Sequence, residues 1–192
     1  SLIDEPRQLL YDTTGVEGYF PSFSPKPDYL AAGSSGRLII RHSETGEELN
    51  HLTLPPMTVA GVPDWSWQGD RIVGVVGPTG LMNFLPNEGI NLGSLYEWVK
   101  VNDEAGEPGS DPSEWGEPQL LVPQVGDLSN DRPAYDPTGQ LIAFNMEGSD
   151  ATAGEGRGNR NVSLWMIRVG EPTPTPVELA RANMGELQGN SW

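Results

Sequence analysis

Tyr19-Phe-Pro-Ser-Phe-Ser-Pro-Lys-Pro-Asp-Tyr-Leu-Ala-Ala-Gly33 and Val62-Pro-Asp-Trp-Ser-Trp-Gln-Gly-Asp-Arg-Ile-Val-Gly-Val-Val76 are two versions of one pattern. Each is a proline and aromatic strand, a tight turn, and a second apolar strand. A third version is Arg132-Pro-Ala-Tyr-Asp-Pro-Thr-Gly-Gln-Leu-Ile-Ala-Phe144, and the opening recurs in Asn190-Ser-Trp192. The rest of the chain is arranged around this hairpin.

Aligning the aromatics Phe23, Trp65, Tyr135 and Trp192 gives spacings of 42, 70 and 57 residues. The first is the length of one four-stranded propeller blade, about 40–45 residues. The longer two leave extra residues that fall between strands. In the first unit, strands a to d are expected near Gly18–Ser24, Tyr29–Gly33, Leu38–Arg41 and Glu48–Leu52. In the second, strand b is Arg71–Val76, strand c Leu95–Val101 and strand d Pro118–Val122, with insertions at Gly77–Ser94 and Asn102–Glu117. In the third, strand b is Leu141–Asn145, strand c Asn161–Arg168 and strand d Val177–Ala180, with a Gly-rich insertion at Met146–Arg160. The run Ile72-Val73, Val75-Val76 suits a strand covered on both faces. Pro21, Pro63 and Pro133 are expected at the start of strand a, where a missing N–H costs no ladder bond.

The expected fold is all-β: a β-propeller segment of about three four-stranded antiparallel blades, with partial blades at both ends. Residues 1–15 read as the last strand of a preceding blade, because Asp4-Glu-Pro-Arg-Gln-Leu-Leu-Tyr11 resembles the outer strand Glu117-Pro-Gln-Leu-Leu-Val122. Residues 16–55, 56–123 and 124–182 read as blades, and 183–192 as the start of the next. Closed propellers have roughly four to eight blades, so the segment is expected to belong to a longer protein or a multi-chain assembly.

Bulk properties narrow the function. Of 192 residues, 24 are Gly and 18 Pro, without a collagen period, which indicates many turns between short strands. The net charge of -16 repels phosphate backbones and anionic membranes, so no nucleic-acid partner is expected. No apolar run reaches the length of a membrane span. With no cysteine, disulfides, thiolate metal sites and cysteine nucleophiles are excluded within this chain.

The hairpin, followed by Ser163-Leu-Trp165, resembles the repeat of TolB-like β-propellers, distant relatives of the tryptophan-aspartate-repeat propellers. That resemblance implies a protein-binding or scaffold role, non-enzymatic, in the bacterial periplasm or outside the cell. It also implies an alternative: the propeller domain of an enzyme, a peptidase or an envelope redox complex, whose catalytic groups lie outside this chain. The long insertions and the Trp67-Gln-Gly69 turn depart from the family pattern.

The residues support no catalytic constellation. His42 and His51 are the two histidines, and no G-x-S-x-G elbow accompanies them. No cofactor is expected, with Ca²⁺ as the one ion worth considering. Asp127-Leu-Ser-Asn-Asp131 spaces oxygen side chains as calcium loops do, but without the Gly and distal Glu. Asp103 and Glu104, in the acidic insertion, are further hard ligands without a fixed spacing. The repeat aromatics Phe23, Trp65, Tyr135, Trp165 and Trp192, together with Trp98, are expected in the core. Trp67 and Trp115 lie outside the repeat and are expected as exposed partner contacts. Met82, Phe84, Leu85, Arg157 and Arg160 are candidate anchors on the b–c insertions, which should emerge on one face with the d–a segments Thr53–Gly61 and Val125–Asp131.

Overall fold

In a computed structural model of the chain, the residues described are 18–25, 29–34, 36–79, 92–101, 114–126, 128–148, 162–171 and 173–179. They form three four-stranded antiparallel sheets in simple meander order. The first contains β1 (Gly18–Phe23), β2 (Tyr29–Ser34), β3 (Arg37–His42) and β4 (Glu48–His51). The second contains β5 (Thr58–Trp65), β6 (Arg71–Pro78), β7 (Ser94–Val99) and β8 (Gln119–Val122). The third contains β9 (Leu128–Tyr135), β10 (Leu141–Gly148), β11 (Val162–Arg168) and β12 (Val177–Glu178). These are the three expected blades. Among the described residues there is no α-helix.

The strands differ from expectation in an instructive way. Strand a of the second and third blades starts at Thr58 and Leu128, inside the segments expected to be d–a loops. The prolines therefore lie in the middle of strand a, not at its start. Each sits in a β-bulge. Pairing jumps from Tyr19↔Gly33 to Ser22↔Ala31, from Gly61↔Val75 to Asp64↔Val73, and from Asp131↔Asn145 to Ala134↔Ala143. Phe20-Pro21, Val62-Pro63 and Arg132-Pro133 thus each oppose a single residue. A bulged residue leaves the ladder, so proline's missing N–H breaks no bond.

The bulge also resets which way side chains point. In a regular strand, residues an odd number apart face opposite sides of the sheet. Ala60 and Trp65 are five apart, yet both pack into the core against the first blade. Val62, between them, packs into the core against the third blade. One strand with one bulge therefore serves two interfaces.

Those two interfaces are the hydrophobic core. Between the first and second blades, Tyr29, Ala31, Leu38 and Ile40 meet Trp65, Ile72, Val76 and Trp98. Between the second and third, Val73, Val75, Leu95 and Val122 meet Tyr135, Ile142, Phe144 and Ile167. Successive residues of β6 alternate between the two cores, which is why its sequence is almost continuously apolar. Gly74 interrupts that run because Leu38 of the first blade needs the space: a Cβ there would lie 2.8 Å from Leu38 Cδ1 and 3.3 Å from the Trp98 ring.

Two expected core aromatics behave differently. Phe23 is 54% exposed. Trp65 and Tyr135 are each covered by the blade before them, and no blade precedes Phe23 among the described residues. Trp165 is partly buried at the margin of the second core rather than enclosed. Trp192 lies outside the described residues.

Gly74→Ala should destabilise the protein by about 1–3 kcal/mol through overpacking against Leu38 and Trp98. Chemical denaturation followed by fluorescence checks this; a loss below about 0.5 kcal/mol would mean the blades can separate to admit a methyl group.

Candidate functional site

The polar chemistry of the described residues concentrates where the inner strands β1, β5 and β9 meet. The residue before each repeat aromatic is Ser22, Asp64 or Ala134. The Trp65 amide donates to Ser22 Oγ at 3.1 Å, and the Tyr135 amide donates to Asp64 Oδ2 at 2.7 Å. Ser22 Oγ in turn donates to Asp64 Oδ1 at 3.0 Å. Each blade thus offers an acceptor to the aromatic amide of the next, and Asp64 touches all three blades. Burial raises the Asp64 carboxyl above its ordinary value, against the lowering effect of its hydrogen bonds from Tyr135, Ser22 and Trp65.

A second cluster lies deeper in the same interface. Glu97, on β7, is 2% exposed. Tyr135 Oη donates to Glu97 Oε1 at 2.8 Å, and Arg71 Nη1 lies 3.1 Å from Glu97 Oε2. Burial first, then the Glu97 charge and hydrogen bond, hold the Tyr135 hydroxyl well above its ordinary value, so it stays a neutral donor. The corresponding position in the first interface holds Ile40, as the paired registers Ala31↔Ile40 and Val73↔Glu97 show, and it faces Trp65 instead of tyrosine. The two interfaces are therefore chemically distinct: apolar in one, acid and phenol in the other.

Both carboxylates have each oxygen engaged by a protein donor. That arrangement ties the blades together. The histidines do not join it. His42 Nδ1 accepts the amides of Glu44 and Thr45 in the β3–β4 turn, and His51 is exposed on β4.

The blade ends carry a further repeat. Gly36 and Gly93, each just before strand c, accept through their carbonyls the amides of Ala60 and Asn130, at 2.9 and 3.0 Å. Asn130 Nδ2 also donates to the Gly93 carbonyl, and the Gly93 amide donates to Ser129 Oγ. The described ends of the b–c connections therefore do abut the beginning of the next inner strand, as expected.

At the opposite end, the a–b turns touch in sequence. Pro25 packs beside Gly69, and Gln68 Nε2 donates to the Thr138 carbonyl at 3.0 Å. Asp136 organises the third turn, accepting from Thr138, Gln140 and Leu141; its carboxyl is held below its ordinary value, chiefly by the Thr138 hydroxyl. On this row Trp67 is 65% exposed. The same turn position is Pro25 in the first blade and Pro137 in the third.

The other expected contacts fare unevenly. Trp115 is buried, 8% exposed, and packs edge-on against Trp65 with centroids 5.7 Å apart. It was expected on the surface because it falls outside the repeat. It instead returns the acidic insertion to the sheet through the Lys100↔Trp115 bridge and the Val101 amide bond to Glu114. Met82, Phe84, Leu85, Arg157 and Arg160 lie outside the described residues, as do Asp103, Glu104 and Asp127. The stretch expected to resemble a calcium loop is strand β9 from Leu128 onward, and Asp131 accepts the Arg132 amide through Oδ1. Among the described residues, no three His, Asp or Glu gather around a possible metal position. The sequence reading missed Glu97 and Asp64. The signal available was their place: acids at positions that are apolar or small in the sister repeats.

With this geometry in hand, comparison with solved structures identifies the class as β-propeller. The Cps50 (Swd1) β-propeller domain of Myceliophteria thermophila matches at a TM-score of 0.53 and 15% identity, over 84% of this chain and 41% of that one. An oligogalacturonate lyase in complex with manganese matches at 0.53 and 18%, over 82% and 39%. A TolB from Acinetobacter baumannii is also matched, at 0.33 and 16%, over 85% and 43%. The chain spans about two fifths of these proteins. No family model matches the sequence, and no curated protein does. Among the described residues, no helix is long and apolar enough to cross a membrane.

Tyr135→Phe removes the donor to a buried carboxylate oxygen and should cost about 1–3 kcal/mol, measured by denaturant unfolding. The pH dependence of Asp64 has a definite sign. Its folded pKa lies above its unfolded one, so its contribution is full below about pH 3.9 and is lost as pH rises through the folded value. Asp64→Asn should therefore gain stability relative to wild type as pH rises across this window. Parallel melting curves from pH 3 to 7 check it; a constant difference between the two proteins would contradict the raised pKa.

Proposed function

We propose that this chain is a non-catalytic, protein-binding segment of a larger propeller and that Trp67 anchors the partner. The observation that carries this reading is the exposure of Trp67 on a turn whose sisters use proline. A turn of this geometry does not need an indole. Large exposed aromatics on rigid supports are favoured anchors in protein interfaces, because little side-chain freedom is lost on binding. The support is rigid here: Ser66 Oγ donates to Asp70 and accepts the Arg71 amide, and Gln68 braces the turn against the third blade. The commitment of every carboxylate oxygen in the buried clusters argues for scaffold over catalysis. The resemblance to TolB-like propellers suggests the bacterial periplasm or the extracellular space as its setting.

Trp67→Ala should change folding stability by no more than about 0.5 kcal/mol, as exposed substitutions do. The test is quantitative affinity capture from the source organism, with wild type and Trp67→Ala side by side and their melting points matched. A protein retained by wild type and depleted at least about tenfold by the variant, equivalent to about 1.4 kcal/mol, supports the reading. An unchanged set of retained proteins overturns it.

A further inference from the structure

We infer that the Trp67 turn recognises an arginine side chain of a basic partner segment, the guanidinium stacked on the indole and paired with the Asp70 carboxylate. The inference rests on the reading of Trp67 as the partner anchor and names the chemistry of what it holds.

The turn sets the two groups side by side. The Ser66 amide donates to the Arg71 carbonyl at 3.0 Å, and the Gly69 amide to the Ser66 carbonyl at 2.9 Å. Gly69 takes a φ of 77°, the left-handed conformation that lets so short a loop close. Of the residues between Ser66 and Arg71, Trp67 is the first and Asp70 the last, so they flank the base of one loop. Both are open to solvent, the indole residue at 65% and the Asp70 side chain at 51%. Asp70 Oδ1 accepts the Ser66 hydroxyl at 2.9 Å, which fixes the carboxylate in place. Its Oδ2 has Arg71 Nε at 3.8 Å, beyond hydrogen-bond range.

Arg71 does not answer the Asp70 charge, because Glu97 holds it. Arg71 Nη1 lies 3.1 Å from Glu97 Oε2, and Glu97 is buried, where a carboxylate without a partner is costly. One guanidinium therefore serves two carboxylates. On one side of the loop, Gln68 bonds to the third turn, whose Asp136 carboxyl is held below its ordinary value and stays an anion. On the other side, the Lys100 amide donates to the Asp70 carbonyl, and Glu114 precedes Trp115, the bridge partner of Lys100. In formal charge, Asp70, Glu97, Glu114 and Asp136 against Arg71 and Lys100 leave this end two units negative, in a chain of net charge -16.

An exposed indole beside a carboxylate with charge to spare fits a cation on a long apolar stem. Cations are attracted to the face of an aromatic ring, and to an indole most of all. The planar guanidinium stacks there and still presents N–H donors at its edge to a carboxylate, which an ammonium cannot do at once. The acidic field repels anionic partners and steers basic ones.

The probe is a phage-displayed library of random linear peptides, selected on the intact chain. The leading peptide is synthesised and its affinity measured by calorimetry against wild type, Trp67→Ala and Asp70→Asn, with melting points matched. Asp70→Asn keeps an oxygen for the Ser66 hydroxyl. The peptide is expected to carry arginine and to lose at least about tenfold in affinity on Trp67→Ala. Exchanging that arginine for uncharged citrulline, or Asp70 for asparagine, should each cost at least about threefold. The two changes together should cost no more than citrulline alone, as a direct pair requires. A Trp67-dependent peptide without arginine, or an affinity that Asp70→Asn leaves unchanged, overturns this inference and leaves Trp67 as an anchor for an apolar partner. A selection that yields no Trp67-dependent peptide overturns it as well, and the affinity capture above then decides on the anchor alone.

Discussion

The carboxylate of Asp64 sits where three inner strands meet, and the rest of the structure depends on keeping it there. It receives the Ser22 hydroxyl from one neighbour and the Tyr135 amide from the other. Taking a carboxylate from water is costly unless its oxygens are hydrogen-bonded. The Ser22 and Tyr135 donors belong to other blades, so the second blade meets that cost in full only when its neighbours are in register. The apolar cores on either side supply the driving force, and Asp64 selects the alignment. Glu97 adds a second selection on one side only. Because Ile40 occupies the equivalent place in the first interface, the two junctions are chemically different.

This alignment is reached through local strain. Val62 and Arg132 have φ values of 49° and 47°, and each precedes a proline. Positive φ disfavours any residue with a Cβ, a β-branched one most of all. The same distortion at the same place in two blades belongs to the architecture rather than to one site. It lets Trp65 and Ala60 face one core while Val62 faces the other, and it places Asp64 at the seam. The strain is offset by what it arranges: a repeat aromatic buried at 6% and 7% exposure in the two cases.

The proposed partner surface draws on what the scaffold does not consume. The Asp64 and Glu97 carboxylates of the inner seam are hydrogen-bonded, the two interblade faces are filled with apolar side chains, and the first histidine is occupied in a turn. The a–b turns of the second and third blades are different, being braced by side-chain hydrogen bonds and accessible at once. Proline at two of its positions and tryptophan at the third distinguish an architectural requirement from an addition to it.

The repeat, the strand order and the membership of most core residues were legible in the sequence, because a strand covered on both faces must be apolar throughout and the hairpin pattern recurs at propeller spacing. The absence of helix among the described residues and the two-sided burial of β6 follow from the same signal. Three things were decided only in three dimensions. The prolines mark bulges inside longer strands, since proline's missing N–H suits a bulge as well as a strand start, and sequence alone does not separate the two. Trp115 is core because the end of the acidic insertion packs against Trp65, a contact between segments 50 residues apart that no local pattern encodes. Asp64 and Glu97 are polar residues whose meaning lies wholly in their partners. A lone acid in a strand is ordinary until the fold brings it an amide, a hydroxyl or a guanidinium from a neighbouring strand or blade.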